Sequence, residues 1–180
     1  MTLPIEPMNG SDERQSTDSL FESAWPSFIG RARLHHLGVV VQSISASAEE
    51  FAASMSASWS GQIIHDPLQR VRVAFFAPAN PRNPVFELVE PAGEGSPVTN
   101  FLSKRVGLHH ICYEIDDLES GLRAASGAGY VVTSTPKPAV AFDGRRIAWV
   151  SSKTRLLMEL LERDGTRTEV DLADREIPSV

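Results

Sequence analysis

The chain has 180 residues, 42% of them hydrophobic, and carries 17 Lys and Arg against 23 Asp and Glu, a formal net charge of −6. That length and apolar fraction suffice for one ordinary domain, or two very small ones, with a real core, and the acidic balance argues against a nucleic acid or an anionic membrane as partner. The single cysteine, Cys112, excludes an internal disulfide and fits a reducing, cytoplasmic setting; no apolar run reaches the roughly 18 residues of a membrane span and the N-terminus lacks a signal-peptide layout.

Residues 1–31 scatter Pro4, Pro7, Gly10, Pro26 and Gly30 among Ser, Asp and Glu without a sustained period, the composition of an extension that builds no core of its own. The spacing of Leu20, Phe21, Trp25 and Phe28 permits either a short amphipathic turn docked on the domain or on a partner chain, or a loose tail. A domain is expected over 32–163, in two modules. The first, 34–91, opens with a β-branched strand from Leu34 to Val41, followed by a helix through Ala46, Ala48, Phe51 and Ala52 with Ser45 as its N-cap and acids in its first turn. Val71, Val73 and Phe75 then alternate with Arg70, Arg72 and Ala74, and after the Pro-rich turn of residues 78–84 comes a strand from Val85 to Val89 that contains Glu87. Between them, His65-Asp66-Pro67 reads as a turn.

Ser96-Pro97 looks like an N-cap with proline at the first helical position, opening a connector helix over 96–105. The second module, 107–162, repeats the order: strand from Leu108 to Ile115, a helix capped by Asp117, then strands from Tyr130 to Thr133, Arg146 to Val150 and Leu156 to Leu161. Cys112, within the first of these, is expected to be a buried thiol, and Gly127-Ala128-Gly129 to close the helix. The last residues, 164–180, form a polar tail.

The two modules share more than element order. Leu-His-His occurs at residues 34–36 and again at 108–110, and the intervals from His36 to Glu87 and from His110 to Glu159 differ by two residues, so each module offers one imidazole and one carboxylate at a matched position. Carboxylates inside otherwise apolar strands are costly unless a cation or another partner answers them. Two His and two Glu supply nitrogen and oxygen donors suited to Co²⁺, Mn²⁺, Ni²⁺, Zn²⁺ or Fe²⁺. Adjacent strand residues point to opposite faces, so only one His of each pair can face such a site unless the strand bulges.

The stretches Phe86-Glu87-Leu88-Val89-Glu90-Pro91, Ser96-Pro97 with Phe101-Leu102-Ser103-Lys104-Arg105, and Gly107-Leu108-His109-His110-Ile111-Cys112-Tyr113-Glu114-Ile115-Asp116-Asp117 resemble the glyoxalase, or vicinal oxygen chelate, superfamily, and within it the methylmalonyl-CoA epimerases. The resemblance implies an α+β fold of paired βαβββ modules closing a U-shaped mixed sheet around a divalent metal, held by His36, Glu87, His110 and Glu159, with His35 and His109 outward or behind the ligands. It further implies a homodimeric isomerase that removes the proton α to the carbonyl of an acyl-CoA thioester, with Glu159 as first candidate base and Glu87 as the other. Arg145 and Arg146 would be free to meet an anionic coenzyme, one of them facing solvent instead. The sequence departs from the epimerases at Leu68, which stands where they carry a proton-transferring carboxylate, and in the loop Ala139-Val140-Ala141-Phe142-Asp143-Gly144. A glyoxalase-like lyase is the rival that Leu68 favours, and a metal-free ligand-binding member of the superfamily is the third reading.

Overall fold

A computed structural model describes residues 32–104 and 107–164; the expected N-terminal extension, the end of the connector at Arg105 and all of the tail but Asp164 lie outside them. The chain order is β1 (Arg33–Val40), α1 (Ile44–Ser54), β2 (Ala57–Trp59), β3 (Ile64–Asp66), β4 (Val71–Pro78), β5 (Val85–Pro91), α2 (Thr99–Leu102), β6 (Gly107–Ile115), α3 (Leu118–Gly127), β7 (Val131–Val132), β8 (Lys137–Pro138), a 3₁₀ turn (Val140–Phe142), β9 (Arg146–Ser151) and β10 (Leu157–Glu162). All strands among the described residues join one ten-stranded mixed sheet whose main path runs β2-β4-β5-β1-β6-β10-β9-β7, with β3 beside β4 and β8 beside β9. This is the expected α+β architecture. β1 and β6 run antiparallel through the middle, and each has the last strand of its own module, β5 or β10, parallel on its outer side.

Alternation along the strands sorts the apolar residues into two layers. On one face Val39, Ala74, Phe76, Phe86 and Leu88 pack against Ile44, Ala48 and Phe51 of α1, while Ala148, Val150, Met158 and Leu160 pack against Leu118 and Ala125 of α3. On the other face Val40, Val71, Val73 and Val89 gather in one half of the sheet and Cys112, Ile147 and Leu161 in the other, closed by Ala139 and Phe142 of the loop after β8. His36, Glu87, His110 and Glu159 share the parity of this second layer.

Several local expectations shift. Ser43, not Ser45, caps α1, its hydroxyl accepting from the Ala46 N–H. The helix is pulled earlier by Ile44, which is fully buried and whose N–H donates to Glu90 at 2.6 Å, so Glu49 and Glu50 fall outside the first turn. Asp117 does cap α3, accepting from the Ser120 N–H. The connector helix shrinks to Thr99–Leu102: Val98 takes the N-cap position without a side-chain bond because it is drawn into the apolar layer beside Val40 and Val89, and Ser96 contributes only its carbonyl, to the Thr99 N–H. β2, β3 and β8, of two or three residues each, are too short to show a period in sequence.

The candidate metal centre

The register of β1 against β6 explains how a His-His pair can serve one site. Leu34 pairs with Tyr113 and His36 with Cys112, while Gly38 pairs with His110 and Val39 with Leu108. One residue on each strand is therefore supernumerary: His35 on β1 and His109 on β6. A bulge of this kind breaks the alternation and re-aims a side chain. The first histidine of each pair is consequently not turned to the opposite face but lies against the second, with Nδ1 to Nδ1 distances of 2.9 Å for His35 and His36 and 3.1 Å for His109 and His110. Both first histidines therefore stand behind His36 and His110 and are not turned outward.

His36 and His110 point their Nε2 atoms at each other, 3.0 Å apart. The Glu87 Oε2 lies 3.4 Å from both, and Glu159 Oε2 lies 3.3 Å from His36 and 3.7 Å from His110. All four residues are at most 5% exposed. Donor atoms about 2.1 Å from a common centre are separated by roughly 3.0 to 3.4 Å at right-angled to tetrahedral bond angles, so the spacing suits one small cation. His36, Glu87 and His110 hold their donors mutually within 4.8 Å, and Glu159, outside that mutual group, approaches the two imidazoles from β10. The fit has a second sign: Glu159 Oε2 is buried without a hydrogen-bond partner, a position that a carboxylate oxygen does not occupy without cost. The His₂Glu₂ donor set and this orphaned oxygen both accommodate a divalent metal.

Gly38 was not singled out in the sequence, yet it makes the site possible. It sits directly across from His110, and a Cβ there would lie 1.9 Å from His110 Cε1. Around the four donors stand aromatic rings: Phe142 stacks on His36 at 5.8 Å, Phe75 meets it edge-on, and Trp149 meets His110 at 4.8 Å. This apolar shell sharpens the electrostatics inside it. Burial acts to raise the Glu87 carboxyl, but the His36 charge and hydrogen bonds from both imidazoles outweigh it and hold the group near 2. Burial lifts Glu159 to about 7, with Glu87 adding to the rise and His110 opposing it. His35 is lowered to about 4 by burial and by His36. Two carboxyls in one site are thereby split, one firmly ionised and one able to exchange a proton near neutrality.

Glu87, His110 and Glu159 line a cavity of about 340 Å³, together with Val71, Val73, Val89, Ile147 and Trp149. Its polar wall holds Asp66, Gln69, Thr133 and Ser134, and Arg70 and Lys137 stand on it. Gln69 Nε2 is buried with no hydrogen-bond partner. Leu68, also on the wall, is 54% exposed. His65 and Asp66 end strand β3, so the turn expected at that tripeptide begins only at Pro67; Asp66 closes it by accepting from the Leu68 and Gln69 N–H groups, is almost fully buried and also accepts from Val140, a long-range bond no local signal announces. Arg145 and Arg146 do not line the cavity and are ion-paired: Arg145 with Glu114, Arg146 with Glu119 and Glu162. Cys112 is buried and free.

Residues 35–149 match the model of the Glyoxalase/Bleomycin resistance protein/Dioxygenase superfamily. The chain is 31% identical over 123 residues to the ethylmalonyl-CoA/methylmalonyl-CoA epimerase of Cereibacter sphaeroides, covering 67% of this chain and 89% of that one. It is 30% identical over 124 residues to the mitochondrial methylmalonyl-CoA epimerase of Homo sapiens, covering 68% of this chain and 66% of the human one. The crystal structure of methylmalonyl-CoA epimerase from Mycobacterium tuberculosis superposes with a TM-score of 0.63 at 23% identity, over 78% of this chain and 90% of that one, which shows the shared fold. The chain thus belongs to the Glyoxalase/Bleomycin resistance protein/Dioxygenase superfamily and stands with its isomerases.

Proposed function

We propose that the chain is a divalent-metal-dependent epimerase of an acyl-CoA thioester, of the methylmalonyl-CoA type. The observation that carries the reading is the convergence of His36, Glu87, His110 and an orphaned Glu159 oxygen, the last three of these residues lining the cavity, in a chain whose relatives are named for that reaction. The four residues would hold the cation, which when bound supplies Lewis acidity to the oxygens of the substrate.

The remaining chemistry belongs to the chain. Glu159, lifted toward neutrality, has the basicity to take the proton α to the thioester carbonyl and to give one back. Glu87, held ionised, balances the charge of the cation and keeps its place. The cavity has room for an acyl group, whereas a coenzyme must extend beyond it. The valine wall and Trp149 exclude water around the reacting carbon, and the unpartnered Gln69 amide is a donor available to a substrate oxygen.

Epimerisation needs proton delivery on the opposite face, and the exposed Leu68 has no proton to give. That residue supports a second reading, a glyoxalase-like enzyme in which one carboxylate moves a proton on one face only. Incubating methylmalonyl-CoA in D₂O with metal-stripped protein, then with protein reloaded with Co²⁺ or Mn²⁺, separates the two. Metal-dependent deuterium uptake with interconversion of the stereoisomers supports the epimerase, uptake without inversion supports the one-base reading, and no uptake by metal-loaded protein would sink both for this substrate.

A further inference from the structure

His35 and His109 are the residues each strand accommodates by bulging, and the bulge recurs at the matching place in the two modules. A bulge interrupts the ladder, so its repetition asks what the displaced imidazole does. In both cases it sets an Nδ1 against the Nδ1 of the following histidine, at 2.9 and 3.1 Å, and in both the ring is wedged by aromatics: His35 edge-on to Phe142 at 5.5 Å, His109 edge-on to Phe101 at 4.8 Å and to Trp149 at 6.2 Å.

Two ring nitrogens at that distance share one hydrogen, and the chemistry of the site decides which ring carries it. For His36 and His110 both to turn a lone pair from Nε2 toward a cation, each must keep its hydrogen on Nδ1. That hydrogen needs an acceptor, because His36 is fully buried and His110 nearly so. We infer that His35 and His109 are paired positioning residues: each accepts at Nδ1 the hydrogen of the next histidine's Nδ1, thereby fixing His36 and His110 as Nε2 ligands. With the hydrogens reversed, an N–H would occupy the face that Glu87 and Glu159 approach. A partner that orients a ligating imidazole typically changes metal affinity by about 10- to 100-fold when removed. The inference rests on the metal-site reading above but not on the substrate.

The test uses metal binding, not turnover. His35→Phe and His109→Phe keep a ring against Phe142 or Phe101 and remove the acceptor; His35→Asn and His109→Asn keep an acceptor near the same place. Dissociation constants for Zn²⁺ from chelator competition, the visible spectrum of the Co²⁺ form and the melting temperature of the metal-free form would be measured on the full chain. The expected result is a loss of about 10- to 100-fold in affinity and an altered Co²⁺ spectrum in each Phe variant, with most of the affinity restored by Asn and melting little changed. Phe variants that bind as tightly as the native chain, or Asn variants as weak as Phe, would overturn the inference. Should the Phe variants fail to fold, long-range ¹H–¹⁵N spectra of the native Zn²⁺ form decide it: hydrogens on Nε2 of His35 and His109 uphold the assignment, hydrogens on their Nδ1 refute it. Native protein that binds no cation removes the metal-site reading itself.

Discussion

Gly38 lacks a side chain because the imidazole of His110 fills that volume: a Cβ would stand 1.9 Å from Cε1 and 2.4 Å from Nε2. Glycine here answers a packing demand and not a backbone one. Gly38→Ala should drive the ring out of line, at an overpacking cost of about 1–3 kcal/mol by urea unfolding and with a larger proportional loss in metal affinity; an alanine variant that binds Zn²⁺ normally would show that the ring has room to move. Glu159→Gln isolates the proton-transfer role. It should keep the fold and part of the metal affinity while α-proton exchange in D₂O drops by about 10²- to 10⁴-fold, the usual contribution of a positioned acid or base. Cys112, opposite His36 in the ladder, is raised far above the ordinary thiol range by burial and by Glu159. It should resist iodoacetamide at neutral pH in the native chain and react only on unfolding; rapid native alkylation would mean the site opens. At this scale the sequence was most legible where a residue type clashed with its surroundings. Glu87 and Glu159 stood out as acids in apolar strands, whereas Gly38, one glycine among 12, carried no local sign of the ring across from it.

Between residues and fold lie the strands and turns that aim the site. β4 was readable from sequence by its alternation of Val71, Val73 and Phe75 with Arg70, Arg72 and Ala74, and β1, β5, β6 and β10 as short, mainly apolar runs bounded by turn or cap residues. The bulges in β1 and β6 were not. They depend on how two strands are paired, which neither strand reveals alone; alternation by itself makes a bulge the condition for both histidines sharing a face and says nothing of whether the condition is met. Helix starts divided by whether a long-range contact intervened: Asp117 acts through its own Ser120, but the α1 start was moved by Glu90, far along the chain. Arg145 and Arg146 were open to a coenzyme in sequence for the same reason, their carboxylate partners being brought to them by β6, α3 and β10. Asp66 is another such tie, joining the β3–β4 turn to the loop at Val140 that closes the cavity. Asp66→Ala should cost about 2–4 kcal/mol, a few charge-assisted bonds, and loosen that loop, seen as faster amide exchange at Val140. Asp66→Asn, which keeps an acceptor for the turn, should lose less; equal losses would refute the tie.

Across the whole molecule, two modules meet along β1 and β6 and place their four donors at the seam, so a cation there would join the halves of the sheet. Binding at 100 times the dissociation constant would add about 2.7 kcal/mol to stability, and its pH dependence follows from the two carboxyls. Glu159, raised from 4.5 to about 7, imposes no penalty on the metal-free fold below pH 4.5, where it is protonated folded or unfolded; the penalty grows as pH climbs through 7. Glu87 has the opposite sign, stabilising above about pH 4.5 and losing that contribution as pH falls toward 2. A cation needs both ionised. It should therefore raise the melting temperature more at pH 8 than at pH 5.5, and at pH 7 it should displace about half a proton from Glu159, half being its protonated fraction at a pKa near 7. Calorimetric titration with Zn²⁺ in two buffers of different ionisation enthalpy measures that proton, and Glu159→Gln provides the subtraction. If native protein and variant release the same number, Glu159 is already ionised before the metal arrives, and its candidacy as the base near neutrality falls with the proton it was expected to hold.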